Sequence, residues 1–209
     1  MSDKIIITRM EGRIVTAMVE QGKIVEFACE NEKKESILGN IYTAKVKNIV
    51  KNINAAFVEV ADGIICYYSL AENPHHHFLT PVRERALAAG DEILVQVSRE
   101  NVKTKQPTVT SNLNFTGKYV VLTSQKRGVG ISNKIHDRQR ICQLKQLAQN
   151  FLRDDFGIIF RTNAGSALDE EILQEADRLI RRYDRVCDRA GYLKSCQMVE
   201  EAPKGYLSL

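Results

Sequence analysis

Arg161 and Thr162 close an apolar run, Gly157-Ile158-Ile159-Phe160, and lead into the polar turn Asn163-Ala164-Gly165. A guanidinium supplies two parallel donors in one plane and the neighbouring hydroxyl supplies a third, which is the chemistry of a phosphate clamp. Gly117 and Val121 complete that constellation, because a glycine lets backbone come close to a ligand. Taken alone, an Arg-Thr pair at a strand end is common and more often a structural feature than a phosphate site. A second set comprises Phe57 and Tyr67 on neighbouring predicted strands, followed by Arg99, Lys103 and Lys105. Aromatic faces beside cations suit single-stranded nucleic acid, each stacked base contributing about 1 to 3 kcal/mol. Spacing alone favours the alternative, in which both rings are core side chains and the lysines a solvated loop.

Other chemistry is poorly supplied. His75-His76-His77 are adjacent and cannot easily converge on one metal ion. Asp154-Asp155 and Glu170-Glu171 read as helix-end and surface charge rather than as a catalytic pair. The five cysteines are widely spaced with no Cys-x-x-Cys pair, so they predict neither a disulfide framework nor a structural zinc site. No apolar stretch reaches the roughly 18 residues of a membrane span, and the Met1-Ser2-Asp3-Lys4 start is no secretory signal, so a cytoplasmic protein is expected. The net charge of +4 is modest, but its distribution is uneven. Between Gly117 and Thr162 nine Lys/Arg face three acids, an electrostatic footprint for a polyanion.

These residues need elements to position them. Lys4–Thr8, Arg13–Val19 and Lys23–Phe27, turned at Glu11-Gly12 and Gln21-Gly22, predict a three-stranded meander. Three strands without a helix cannot bury both faces, so this piece requires a partner from elsewhere. Ile41–Val50, Ala55–Val60, Ile64–Tyr68 (after the hairpin signal Asp62-Gly63) and Glu92–Val97 predict about five strands over residues 39–110, which suits a small OB-type barrel. Lys118–Leu122 and Gly157–Arg161 are further strands, with Arg127-Gly128-Val129-Gly130 a flexible loop. Ile141, Leu144, Leu147, Ala148 and Phe151 fall at helical spacing. Ser166, with Asp169 as a capping-box acid, predicts the start of a long helix bearing the stripe Ile172, Ala176, Leu179, Tyr183, Val186 and Ala190, and Gly191 its stop. After Leu193 no complete element is expected. The fold class is therefore α+β: a three-stranded meander, an OB-type five-stranded β-barrel, then a small α/β segment with a long C-terminal helix.

Ile37-Leu38-Gly39-Asn40-Ile41-Tyr42 and Asn54-Ala55-Ala56-Phe57-Val58 resemble the opening of the ribosomal-protein-S-one-type OB module of the ribonuclease E/G family. Gly117-Lys118-Tyr119-Val120-Val121-Leu122, Gly130-Ile131-Ser132 and Ile159-Phe160-Arg161-Thr162-Asn163-Ala164 look like the family's next segment, in the same order. The resemblance implies that residues 1–38 open an RNase H-like subdomain, that 39–110 form the inserted OB module, that 111–193 form a 5′-sensor segment, and that 194–209 begin the return to the first subdomain. It implies that Phe57, Tyr67 and Lys105 contact single-stranded RNA. It also implies that Arg161 and Thr162 hold a 5′-monophosphate, with Gly117 and Val121 lining the pocket. Asn133 stands where the family often has a basic residue, and Cys66-Tyr67-Tyr68-Ser69 stands where Gly-Phe-Leu-Pro is usual. The family's catalytic aspartates and zinc-link cysteines have no counterpart here. The chain is thus expected to be an RNA-binding front end, without catalytic residues, metal ligands or a cofactor of its own. Mg²⁺ is expected for the full-length family enzyme, and the catalytic domain or a homo-oligomer are possible protein partners. The competing readings are a free-standing OB-fold adaptor that tethers a partner to RNA, and a hydrolase with an unrecognised site.

Overall fold

A computed structural model describes residues 4–31, 36–80, 85–100, 106–124 and 127–203. The meander is formed by β1 (Lys4–Met10), β2 (Arg13–Glu20) and β3 (Lys23–Asn31), paired in that order. Both turns are two-residue, with positive φ at Glu11, Gly12, Gln21 and Gly22, the backbone twist that joins antiparallel strands tightly. Ile5 and Ile7 are exposed on one face and Ile6 and Phe27 on the other.

The barrel consists of β4 (Ile41–Val50), β5 (Ala55–Ala61), β6 (Ile64–Ser69), β7 (Glu92–Arg99) and β8 (Thr108–Thr110). Pairing runs β4-β5-β6-β8-β7 and closes through β4–β7, so the sheet keeps no free edge along its ring. Strand alternation fills the interior with Val46, Ala56, Val58, Val60, Cys66, Tyr68, Ile93, Val95, Val97 and Val109. Burial pushes the Cys66 thiol up to about 11, so it packs as a small apolar group. A polar loop crosses one end of the barrel. There the buried Asn73 donates to the Ser69 carbonyl and accepts from the Thr110 hydroxyl and the Ser111 amide.

The α/β unit has the sheet β11 (Gly128–Ile131), β12 (Gly157–Phe160), β10 (Val120–Thr123) and β9 (Asn114–Thr116) in that order, with β11 and β12 parallel. Residues 128–130, expected as a flexible loop, belong to a strand. Two glycines erase the side-chain alternation that would reveal it, and a Cβ on Gly130 would stand 3.2 Å from Ile159 Cγ1. Helix α1 (Arg138–Ala148) starts at Asp137, whose carboxylate accepts from the Gln139 and Arg140 amides. Helix α2 (Asp169–Tyr192) buries the predicted stripe, Ile172, Ala176, Leu179, Tyr183, Val186 and Ala190. Its start differs from expectation. The cap is Leu168, whose amide donates to Glu171, while Asp169 pairs with Arg140 instead. Residues after Leu193 also order more than expected: β13 (Gln197–Glu200) pairs with β4. Ile41 and Leu94 of the barrel and Val199 of β13 pack into the same core as α2, so barrel and α/β unit share apolar contacts.

Candidate nucleic-acid interface

Phe57 and Tyr67 face each other across β5 and β6, with ring centroids 6.2 Å apart in an edge-to-face arrangement. Both lie on the outside of the barrel, half-exposed, and not in its core. The core ring on β6 is Tyr68, whose hydroxyl donates to Ser111. A parity signal was present in the chain: Phe57 shares its strand face with Glu59, a carboxylate that must reach water. Strand register carries the row further. Asn48 pairs with Phe57, Phe57 with Tyr67, Tyr67 with Thr108, and Thr108 with Arg99. The result is a band across five strands with two rings at its centre, an amide at one end and the exposed Arg99 at the other. Lys103 and Lys105, between β7 and β8 in the chain, lie outside the described residues.

The second constellation is assembled where the parallel strands β11 and β12 end and β10 begins. Val120, Leu122, Ile158 and Phe160 point into the α2 core. Val121 and Ile159, directly opposite one another, take the other face and are half-buried. Arg161 continues the outward parity of Ile159 and is exposed. Its amide donates to the Tyr119 carbonyl at 2.7 Å, and its guanidinium Nη1 donates to the Gly117 carbonyl. Thr162 opens a short 3-10 turn (Thr162–Gly165), and its hydroxyl lies 3.0 Å from the hydroxyl of Ser132, which follows β11. The structure therefore brings Gly117, Arg161 and Thr162 to one strand exit and leaves Val121 on the adjoining face.

Three contributors to this site were not visible from local sequence. Ser132 reaches Thr162 from another strand. Arg140 of α1 donates to the Ala164 and Ala167 carbonyls and to Asp169, clamping the loop that follows Thr162. Glu175 of α2 accepts three consecutive amides, from Lys118, Tyr119 and Val120. The space that Gly117 leaves is filled by that carboxylate, since an added Cβ would stand 2.4 Å from Glu175 Cδ. These contacts span 24 to 57 residues of chain, beyond the reach of any periodicity.

The histidine run is divided among separate tasks. His76 Nδ1 is 2.8 Å from the Tyr68 hydroxyl, and the His77 carbonyl accepts the Leu94 amide. Among the described residues no group of three or more His, Cys, Asp or Glu side chains is placed to hold a metal ion, and no helix is long and apolar enough to cross a membrane. The Mg²⁺ implied by the resemblance thus finds no fitting donor set among them.

Residues 114–208, which carry the strand exit and α2, match the Ribonuclease E/G family. A Ribonuclease G of Haemophilus influenzae is 29% identical over 193 residues, covering 88% of this chain and 39% of that protein. Residues 114–208 belong to the ribonuclease E/G family, and the likeness to its members extends over most of the chain. A Ribonuclease E of Nostoc is 29% identical over 184 residues (83% of this chain, 27% of that protein), and one of Synechocystis is 30% identical over 165 residues (73% and 23%). The chain spans well under half the length of these relatives.

Proposed function

We propose that this region holds single-stranded RNA across the barrel and grips a 5′-monophosphate end at the exit of β12, in the service of RNA processing and decay in the cytoplasm. The observation that carries the reading is the outward pair Phe57 and Tyr67 at the centre of a five-strand band. Two half-exposed rings side by side on a closed barrel offer stacking faces to bases of any identity. Arg99 at the end of the band supplies charge for the phosphates, and Lys105, which follows β7 in the sequence, is proposed to add to it. Residues 4–31, apolar on both faces, fit the opening strands of an RNase H-like subdomain completed by other segments.

At the strand exit, Arg161 spends one donor on Gly117 and keeps the rest of its five for a phosphate. The Thr162 hydroxyl can retain Ser132 and still serve a phosphate oxygen, because a hydroxyl both donates and accepts. Gly117 and Val121 line the approach. A hydrogen bond to a charged group contributes roughly 1.5 to 3 kcal/mol, which corresponds to a preference of about tenfold or more for a phosphorylated end. Competition binding with three short RNAs that differ at the 5′ end tests this. The 5′-monophosphate should win over 5′-hydroxyl and 5′-triphosphate, Arg161→Ala should erase the difference, and Arg161→Lys should restore part of it, since a point charge cannot reproduce the fork. Affinity for all three should fall steeply with salt as counterions are released. Equal affinities in the parent would remove the end-sensing role and leave Arg161 a general phosphate contact.

A further inference from the structure

The segment Gly117–Val120 is a thin wall with opposite chemistry on its two sides. Its amides at Lys118, Tyr119 and Val120 converge on the Glu175 carboxylate at 2.6, 2.7 and 3.0 Å. Its carbonyls at Gly117 and Tyr119 receive the Arg161 guanidinium and the Arg161 amide. The Glu175 side chain is 9% exposed, and the Arg178 guanidinium, 3.9 Å away, is largely in solvent. Three main-chain donors aimed at one point form an anion site. Here α2 fills it from within, and Gly117 is glycine because the carboxylate occupies the position of a Cβ.

We propose that Glu175 is the positioning residue of the 5′-end clamp. It fixes the wall through three charge-assisted hydrogen bonds, and the wall in turn fixes the Arg161 fork toward the ligand. The proposal rests on the end-sensing reading above. Its physical content is that the carboxylate acts as an acceptor for three donors, which its volume alone cannot do. A glutamine at 175 keeps the length but replaces one acceptor oxygen with an NH₂, so at least one of the three amides faces a donor and loses its partner. An aspartate keeps two acceptor oxygens but is one methylene shorter. The wall would then relax, the Gly117 carbonyl would move, and Arg161 would lose the contact that orients it.

Two measurements on the parent, Glu175→Gln and Glu175→Asp test this. The first is the ratio of affinities for 5′-monophosphate and 5′-hydroxyl RNA. The second, made without RNA, is amide hydrogen exchange at Lys118, Tyr119 and Val120. The parent should show a ratio of about ten, Gln should bring it close to one with faster exchange at the three amides, and Asp should retain an intermediate ratio. If the Gln variant does not fold, Gly117→Ala takes its place, since the new Cβ displaces the carboxylate, and the same two readouts apply. A parent ratio near ten that persists in the Gln variant overturns the positioning role alone. An equal fall in Gln and Asp with unchanged exchange overturns it too, reducing Glu175 to packing. A parent ratio of one overturns the end-sensing reading, and this proposal with it.

Discussion

The outer face of the barrel and the exit of β12, the two halves of the proposed RNA site, are surfaces of different kinds. On the barrel, Phe57 and Tyr67 touch each other and project from a closed ring whose interior is complete without them. At the strand exit the groups are already engaged, Arg161 with Gly117 and Tyr119, Thr162 with Ser132, and the wall beside them with Glu175. A surface of the first kind binds with little rearrangement and little discrimination. A surface of the second kind gains only the difference between ligand contacts and existing ones, so it contributes selectivity more than affinity. The two also differ in what supports them. The barrel band rests on strand register alone, while the strand exit depends on α1 through Arg140 and on α2 through Glu175.

The sharpest way to break the comparison is to hollow out the support of one side. Phe160, fully buried one residue before Arg161, lies in the core that also contains Ile41 and Leu94 of the barrel. Phe160→Ala should cost about 3 to 5 kcal/mol of stability, a large part of what a domain of this size possesses. Because the core is shared, denaturant unfolding followed by NMR signals of barrel amides and by helical circular dichroism should shift together. Separate midpoints would show that the two regions stand independently.

A smaller change addresses recognition directly. Phe57→Ala removes a stacking face and should weaken RNA binding by about 1 to 3 kcal/mol. The loss should be equal for 5′-monophosphate, 5′-hydroxyl and 5′-triphosphate RNA, whereas Arg161→Ala should lower affinity for the first alone. Filter binding with both variants gives the crossed result. If Phe57→Ala binds as the parent does while circular dichroism shows an intact fold, the barrel band is not an RNA platform. If both variants alter all three RNAs alike, the division between affinity and selectivity is wrong.

The two surfaces were also unequally legible in the chain. Elements with a full side-chain pattern could be read directly: the six-residue stripe of α2 is buried as its spacing requires, and the turns at Glu11-Gly12 and Gln21-Gly22 fall where the pattern breaks. The strand β11 escaped because Gly128 and Gly130 present no alternation. The direction of Phe57 was decidable from Glu59 two residues on, although ring spacing alone pointed inward. The supports of the strand exit were not decidable at all. Nothing local to Glu175 or Arg140 says that one will meet amides 55 to 57 residues away or that the other will cap a loop after Thr162. Local chemistry singled out Arg161 and Thr162, and tertiary structure supplied what holds them in place.

The least effect is expected from acid, at the segment that joins the two regions. His76 stands against Tyr68 of the barrel and between the rings of Tyr68 and Phe78. Burial holds its imidazole below the ordinary range, with the Asp91 carboxylate opposing that shift and His75 adding to it. His77 is likewise lowered by burial, against the attraction of Asp155 in the α/β unit. Leu79, two residues on, donates its amide to the Glu92 carbonyl and packs against the α2 core. Both histidines are therefore neutral in the fold near pH 7. An unfolded histidine takes a proton as pH falls through about 6.5, and the folded ones do so later. The unfolded chain then binds more protons than the native one, so stability is full above that pH and declines as pH falls below it. Asp91 does not blur this window. The Arg85 guanidinium holds its carboxyl below the usual range, so its contribution is lost in more acidic solution, as pH falls below about 3.9. The melting midpoint should accordingly drop by a few degrees between pH 7.5 and pH 5.5. His77→Gln should flatten that slope, because glutamine gains no proton. A parent whose midpoint is constant across this range would mean that both imidazoles accept protons in place, and that the junction between barrel and α/β unit is open to solvent rather than packed.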